Sequence, residues 1–222
     1  MSCKLFIICG HGAGDSGACA GGQTEAALVR KLAARIKDLG TSDVQIGDMD
    51  VNWYESNGIG KGQCPKGAMV LELHMDSAAP SARGGHVIIK KGFSPDAFDK
   101  ALASFIVSFF PGRSSTIVGR SDLANPNRAA SAGVNYRLLE CGFISNDGDR
   151  AKFMNQMDDL ARGILQAAGI GANVIAPETP DAPSTPGKLY RVQLGAFSIK
   201  SNAEKFAGEL RSKGYKPIIT YY

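Results

Sequence analysis

A chain of 222 residues, 44% hydrophobic and 21% charged, has the composition of a soluble globular protein with room for one substantial domain and a small extra module. The 25 Lys and Arg against 21 Asp and Glu leave a net charge of +4, far short of a nucleic-acid-binding footprint. Cys3, Cys9, Cys19, Cys64 and Cys141 are odd in number and lack paired spacing, which argues against a disulfide framework and for synthesis in a reducing compartment; no apolar run is long enough to span a membrane.

The apolar run 5–8 after Met1-Ser2-Cys3-Lys4 is too short for a signal-peptide core and has no cleavage site after it. Residues 5–9 read instead as a buried parallel strand. The glycine-rich stretch 10–22 must be a loop. Thr24 can cap a helix to about Leu39, stopped by Gly40, with Leu28, Leu32, Ile36 and Leu39 as its apolar stripe. Residues 44–46 and 69–73 read as strands, with an exposed loop at 52–67 between them. Residues 86–90 form a further strand. Ser94-Pro95 opens a helix to about Phe110, ended by Pro111-Gly112. A strand at 136–141 and a closing helix at about 149–168 complete the series.

Strands alternating with helices predict an α/β fold, a mostly parallel twisted sheet flanked by helices on both faces, of a hydrolase-like kind. Ligands in such sheets bind beyond the carboxyl ends of strands, where His11, His74 and Glu140 fall. Glu25 starts a helix on the same side as Leu28 and Leu32, so its carboxylate points toward the core. That is costly unless something positive compensates it, which a metal ion does. Taken singly, each residue also fits an ordinary role: His11 as a turn residue, Glu25 as a capping-box partner, His74 as a core histidine, Glu140 as a surface ion pair. Cys9, on the face of its strand that leads to His11, is a conceivable soft ligand but reads better as a small core residue. His86 begins a strand and reads as structural or substrate-facing. Gly12-Ala13-Gly14-Asp15-Ser16-Gly17 is a literal dinucleotide fingerprint, but the next helix starts too late to meet a pyrophosphate there.

Four segments in order, Cys9-Gly10-His11-Gly12-Ala13-Gly14, Gly22-Gln23-Thr24-Glu25, Leu71-Glu72-Leu73-His74 and Leu138-Leu139-Glu140-Cys141-Gly142-Phe143, resemble the zinc-dependent N-acetylmuramoyl-L-alanine amidases across residues 4–168. The resemblance implies Zn²⁺ held by His11, Glu25 and His74, with Glu140 handling protons and Asp76, Ser77 and Asn146 contacting substrate. The substrate it implies is peptidoglycan, cut between N-acetylmuramic acid and L-alanine, and the mild positive charge suits an anionic wall. Where the family has an amide two residues after the second histidine, this chain has Asp76. Glu72, two residues before His74, is either a carboxylate that orients the imidazole or a rival ligand.

Residues 172–187, rich in proline, read as an extended linker between a catalytic domain at 1–171 and a module at 188–222. Tyr190-Arg191-Val192-Gln193-Leu194-Gly195-Ala196-Phe197-Ser198 and the residues after it resemble one half of the sporulation-related (SPOR) repeat, which binds glycan strands, as strand, helix, strand. A unit of that size is too small to stand alone, so pairing into a homodimer or packing on the catalytic domain is expected. A cutter joined by a Pro linker to a small wall-binding module suits a bacteriophage endolysin, kept in the host bacterial cytoplasm and released through a holin-made hole. A host autolysin or sporulation amidase, a zinc peptidase acting within the stem peptide, and a non-catalytic wall-binding protein are the alternatives.

Overall fold

The computed structural model describes residues 3–171, 198–212 and 217–220. The chain separates into two compact units, 1–174 and 175–222. In the first, a six-stranded sheet is built from β1 (Leu5–Cys9), β4 (Val44–Ile46), β5 (Met69–Asp76), β6 (His86–Lys90), β7 (Ile117–Arg120) and β8 (Tyr136–Phe143). Its order is β4-β1-β5-β8-β6-β7. β4, β1, β5 and β8 run parallel; β6 is antiparallel to β8, and β7 is parallel to β6. This is the mostly parallel α/β sheet expected from the sequence.

Helices cover both faces. α1 (Glu25–Gly40), α3 (Ala97–Phe109) and α6 (Met157–Ala167) bury one face, where Leu5, Ile7, Leu71, Leu73, Leu139 and Val87 meet Leu28, Leu32, Ile36, Leu102, Ile106 and Ile164. On the other face Phe6, Ile8, Val70, Ile88 and Leu138 pack with Trp53 of α2 (Trp53–Ser56) and Ala129 of α4 (Ala124–Ser131). All five residues of β1 are buried because both faces are covered.

The expected helix after the glycine loop is α1. Thr24 Oγ1 accepts from Ala27 N at 3.2 Å, and the buried set includes Glu25, Leu28, Leu32, Ile36 and Leu39. The glycine loop carries a minimal hairpin, β2 (Cys19–Ala20) with β3 (Gln23–Thr24). The expected closing helix divides into α5 (Asp147–Asn155) and α6, with Gln156 between them at φ −124° and ψ 33°. Backbone bonds from Gln156 to Lys152 (2.9 Å) and from Leu160 to Gln156 (3.0 Å) continue across the join, so it is a kink and not a loop. The stretch 52–67, expected as an exposed loop, instead carries α2 and buries Asn52, Trp53 and Ile59, because its apolar side chains close the second sheet face. Two further elements have no counterpart in the sequence reading. β7 is four residues with an internal glycine. α4 holds Pro126 in its first turn, where a missing N–H removes no helix bond.

In the second unit the expected helix is present as α7 (Lys200–Ser212). Ala203, Phe206, Ala207 and Leu210 are its less exposed residues, the spacing of one helical face. The proline-rich stretch 172–187 and residues 190–197 of the strand motif lie outside the described residues.

Arg137 on β8 is 1% exposed and is the largest fully buried side chain. Its Nε donates to Asp99 Oδ1 (2.8 Å) and its Nη2 to Asp96 Oδ2 (2.9 Å), while Asp96 and Asp99 form the capping box that starts α3. Arg137→Ala leaves Asp99 buried without its cation, and should cost about 3–5 kcal/mol in denaturant unfolding. A loss under about 1 kcal/mol would show that the pair does not anchor α3 to the sheet.

Candidate metal centre

His11 lies just past β1, His74 near the end of β5, and Glu25 is the first residue of α1. The sheet–helix packing brings one ligand atom of each within 4.8 Å of the others. Glu25 Oε1 stands 3.1 Å from His11 Nε2 and 2.8 Å from His74 Nδ1, and accepts from Met75 N at 3.0 Å. Its Oε2 accepts from Ala18 N at 3.2 Å. Glu25 is 3% exposed and makes no capping box, since Thr24 itself caps the helix.

Each imidazole is held from behind by a second carboxylate. His11 Nδ1 meets Asp15 Oδ2 at 2.8 Å, and His74 Nε2 meets Glu72 Oε1 at 3.0 Å. Glu72 is fixed in turn by Asn125 Nδ2 (2.9 and 3.1 Å to its two oxygens) and by Tyr136 Oη (2.6 Å). It therefore faces the outer nitrogen of His74, on the far side of the ring from Glu25. Two imidazole nitrogens and a carboxylate oxygen facing one point, with the outer ring nitrogens on carboxylates, is a donor set that fits a divalent transition metal.

The glycine loop owes its composition to this arrangement. A Cβ on Gly10 would fall inside the His74 imidazole, and one on Gly17 would lie 2.6 Å from His11 Cδ2 and 2.8 Å from Glu25 Oε2. His11 itself takes φ 62°, the left-handed region that costs a side-chain-bearing residue energy. Arg30 holds it there: Nη1 donates to Gly10 O (3.1 Å) and Nη2 to His11 O (3.0 Å). The dinucleotide-like glycines thus make room for side chains. The sequence reading gives Asp15, Arg30, Asn125 and Tyr136 no role in the site; the one local hint is Asp15, an acid four residues after His11 in a loop of small residues. Cys9 points the other way, into the α1 core, where burial pushes its thiol up to about 11.

Glu140 follows from register. It pairs with His74 on β5 and with His86 on β6, so the three side chains share one face. Its Oε2 is buried with no hydrogen-bond partner among the described residues. Burial pushes its carboxyl up to about 7, with the charges of Asp76 and Glu25 adding to the effect and that of His74 opposing it. Around the other three, charge pairing wins over desolvation. The Glu25 hydrogen bond raises His11, those to Glu25 and Glu72 raise half-buried His74 well above its usual range, and the two imidazoles lower Glu25 despite its burial.

Of the expected substrate contacts, Asp76 lies beyond His74 on β5 and pairs with Arg113 Nη2 at 3.0 Å. Ser77 is exposed and donates its N–H to Asp76 Oδ1 (2.8 Å). Asn146 caps α5, accepting from Asp149 N (3.0 Å) and donating to Pro80 O (2.7 Å), so it is not gathered with the four.

An α/β sheet with a His–Glu–His cluster at its strand ends and a buried carboxylate alongside defines a candidate metal-dependent hydrolase. The chain belongs to the N-acetylmuramoyl-L-alanine amidase family, whose model matches residues 5–170, and residues 186–222 match the SPOR domain. It is 32% identical over 201 residues to the probable autolysin PH of Staphylococcus aureus (strain NCTC 8325 / PS 47), covering 77% of this chain but only 40% of that protein. It is 24% identical over 226 positions to the sporulation-specific N-acetylmuramoyl-L-alanine amidase of Bacillus subtilis (strain 168), covering 97% of this chain and 84% of that one. The fold matches that of the N-acetylmuramoyl-L-alanine amidase from Clostridium difficile 630 with a TM-score of 0.60 at 20% identity, over 75% of this chain and 94% of that chain.

Two outcomes are expected. Glu72→Gln, which replaces the carboxylate behind His74 with an amide, should weaken metal binding about 10–100-fold in chelator competition; unchanged affinity would remove Glu72 from the site. The second concerns the metal-free protein. The histidines have folded pKa values above 6.5, so their contribution to stability is complete below pH 6.5 and is lost as pH rises through the raised values. Glu25 is lowered from 4.5, so its contribution is present above pH 4.5 and is lost on acidification. The metal-free Tm should therefore fall above pH 6.5 while metal affinity rises, because the ligands must lose protons. A Tm and an affinity that rise together would contradict the cluster.

Proposed function

We propose that this chain is a zinc-dependent amidase that hydrolyses the bond between the lactyl group of N-acetylmuramic acid and the L-alanine of the peptidoglycan stem peptide. The observation that carries the reading is the shared carboxylate of Glu25 between two imidazoles, with Glu140 in register beside His74 and its Oε2 without a hydrogen-bond partner among the described residues. His11, Glu25 and His74 would hold Zn²⁺, which supplies Lewis acidity toward the scissile carbonyl and makes water a better nucleophile at neutral pH.

Glu140 does the proton work. A carboxyl near 7 is ionised often enough to take a proton from the attacking water, and basic enough to keep it until the amine departs. Its Oε2 accepts from no donor among the described residues, which leaves it for water and then the amine in turn. Glu25 is tied by Met75 N and Ala18 N and cannot swing to take over that role.

The domain reading extends this proposal: catalytic domain 1–171, linker 172–187 and a wall-binding SPOR module at 188–222, pairing as a homodimer. Identity to a staphylococcal autolysin supports a wall-remodelling role. The cutter-plus-module layout supports the endolysin reading, in which lysis from within a bacterial host requires a permeabilised membrane.

On purified Gram-positive walls the protein should release new N-terminal alanine, lose activity with chelator and regain it with zinc. Glu140→Gln should lower kcat about 10²–10⁴-fold with fold and metal content retained. New amines on another residue would make it a stem-peptide peptidase, and full activity in Glu140→Gln would dismiss Glu140 as the proton carrier.

A further inference from the structure

Arg113 holds no group of the chemistry above, although its charge is among those that lower Glu140, and it stands at the end of the catalytic row. His74, Glu140 and His86 are register neighbours across β5, β8 and β6. Arg113, in the loop before β7, lies against the last of them. Its Nε donates to His86 Nδ1 at 3.2 Å, its Nη2 pairs with Asp76 Oδ2 at 3.0 Å, and its guanidinium carbon lies 5.3 Å from the centre of the Phe143 ring. Burial, together with the charges of Arg113 and Arg120, pushes His86 down to about 4, so the imidazole is neutral and can accept. Asp76 and His86 fix two nitrogens of the guanidinium and Phe143 supports one face.

The third nitrogen is open. Nη1 makes no hydrogen bond among the described residues, and the Arg113 side chain is 34% exposed. A guanidinium held rigidly with free N–H groups is built to receive an anion with directional hydrogen bonds. In a muramyl peptide the sugar's own acid is consumed in the amide to be cut. The carboxylates that remain are on the peptide.

We propose that Arg113 binds a free carboxylate of the stem peptide and so makes this chain selective for substrates with an acid close to the scissile amide. The inference rests on the amidase reading. Asp76 holds Arg113 in place and offsets part of its charge, which makes the preference one of position and not of general attraction to anions.

The test uses two synthetic muramyl peptides and the zinc-loaded full chain. The peptides are identical except that the acidic residue after L-alanine carries a free carboxylate in one and a carboxamide in the other; the peptide C-terminus is amidated in both. Wild type should favour the carboxylate by about tenfold in kcat/KM, mainly through KM. Arg113→Ala should bring the two within about twofold, the carboxylate peptide losing several-fold more than the carboxamide. Arg113→Lys, which keeps the charge but not the fork, should keep part of the preference. Arg113→Gln repeats the comparison if Arg113→Ala fails to fold. Equal cleavage of both peptides by wild type, or a proportional loss on both in Arg113→Ala or Arg113→Gln, would overturn the proposal. No product from either peptide with wild type would overturn the amidase reading and this proposal with it.

Discussion

A carboxylate buried at the start of a helix has to be answered by positive charge, and the domain around Glu25 is arranged to do so. Packing of α1 on the sheet places this residue at 3% exposure, on the inward side of a helix whose other buried residues are apolar. Desolvation of that kind makes an isolated carboxylate take up a proton. Instead two imidazoles and two backbone N–H groups converge on it. His74 is on β5 and His11 is in the loop just past the neighbouring parallel strand β1, so the site depends on the β1–β5 pairing as much as on the helix. Glycines at 10 and 17 leave the volume that the rings and the carboxylate fill.

The two halves of the cluster are held differently. His74 is backed by Glu72, which is buried and already bound by Asn125 and Tyr136. His11 sits in a loop at a left-handed backbone position, backed by the exposed Asp15 and clamped through its carbonyl by Arg30. The first arrangement is rigid because each polar atom has a buried partner. The second spends backbone strain to aim a ring, and relies on a single arginine to hold it.

Much of this could be read in the chain. The apolar run of β1, the capped stripe of α1 and the strand carrying Glu140 are strong local patterns; they located His11 and Glu25 at element ends, whereas β5 and β8 run on past His74 and Glu140 to Asp76 and Phe143. What could not be read is what depends on three-dimensional neighbours. Arg137 looks like a polar residue on a strand until Asp96 and Asp99 are seen across from it. Arg113 is one arginine in a loop until Asp76, His86 and Phe143 surround it. Asn146 follows a strand and fits a substrate contact by position, whereas its side chain caps α5. The short strand β7 and the proline-bearing α4 have too little periodicity to show.

If Glu25, His11 and His74 form one metal shell, the bound ion itself reports its neighbours through X-ray absorption at the zinc edge of the zinc-loaded chain. The expected spectrum is that of one tightly bound ion with only nitrogen and oxygen neighbours at about 2.0–2.2 Å, two of them imidazoles. A sulfur neighbour at about 2.3 Å, or an ion with no imidazole signature, would contradict it.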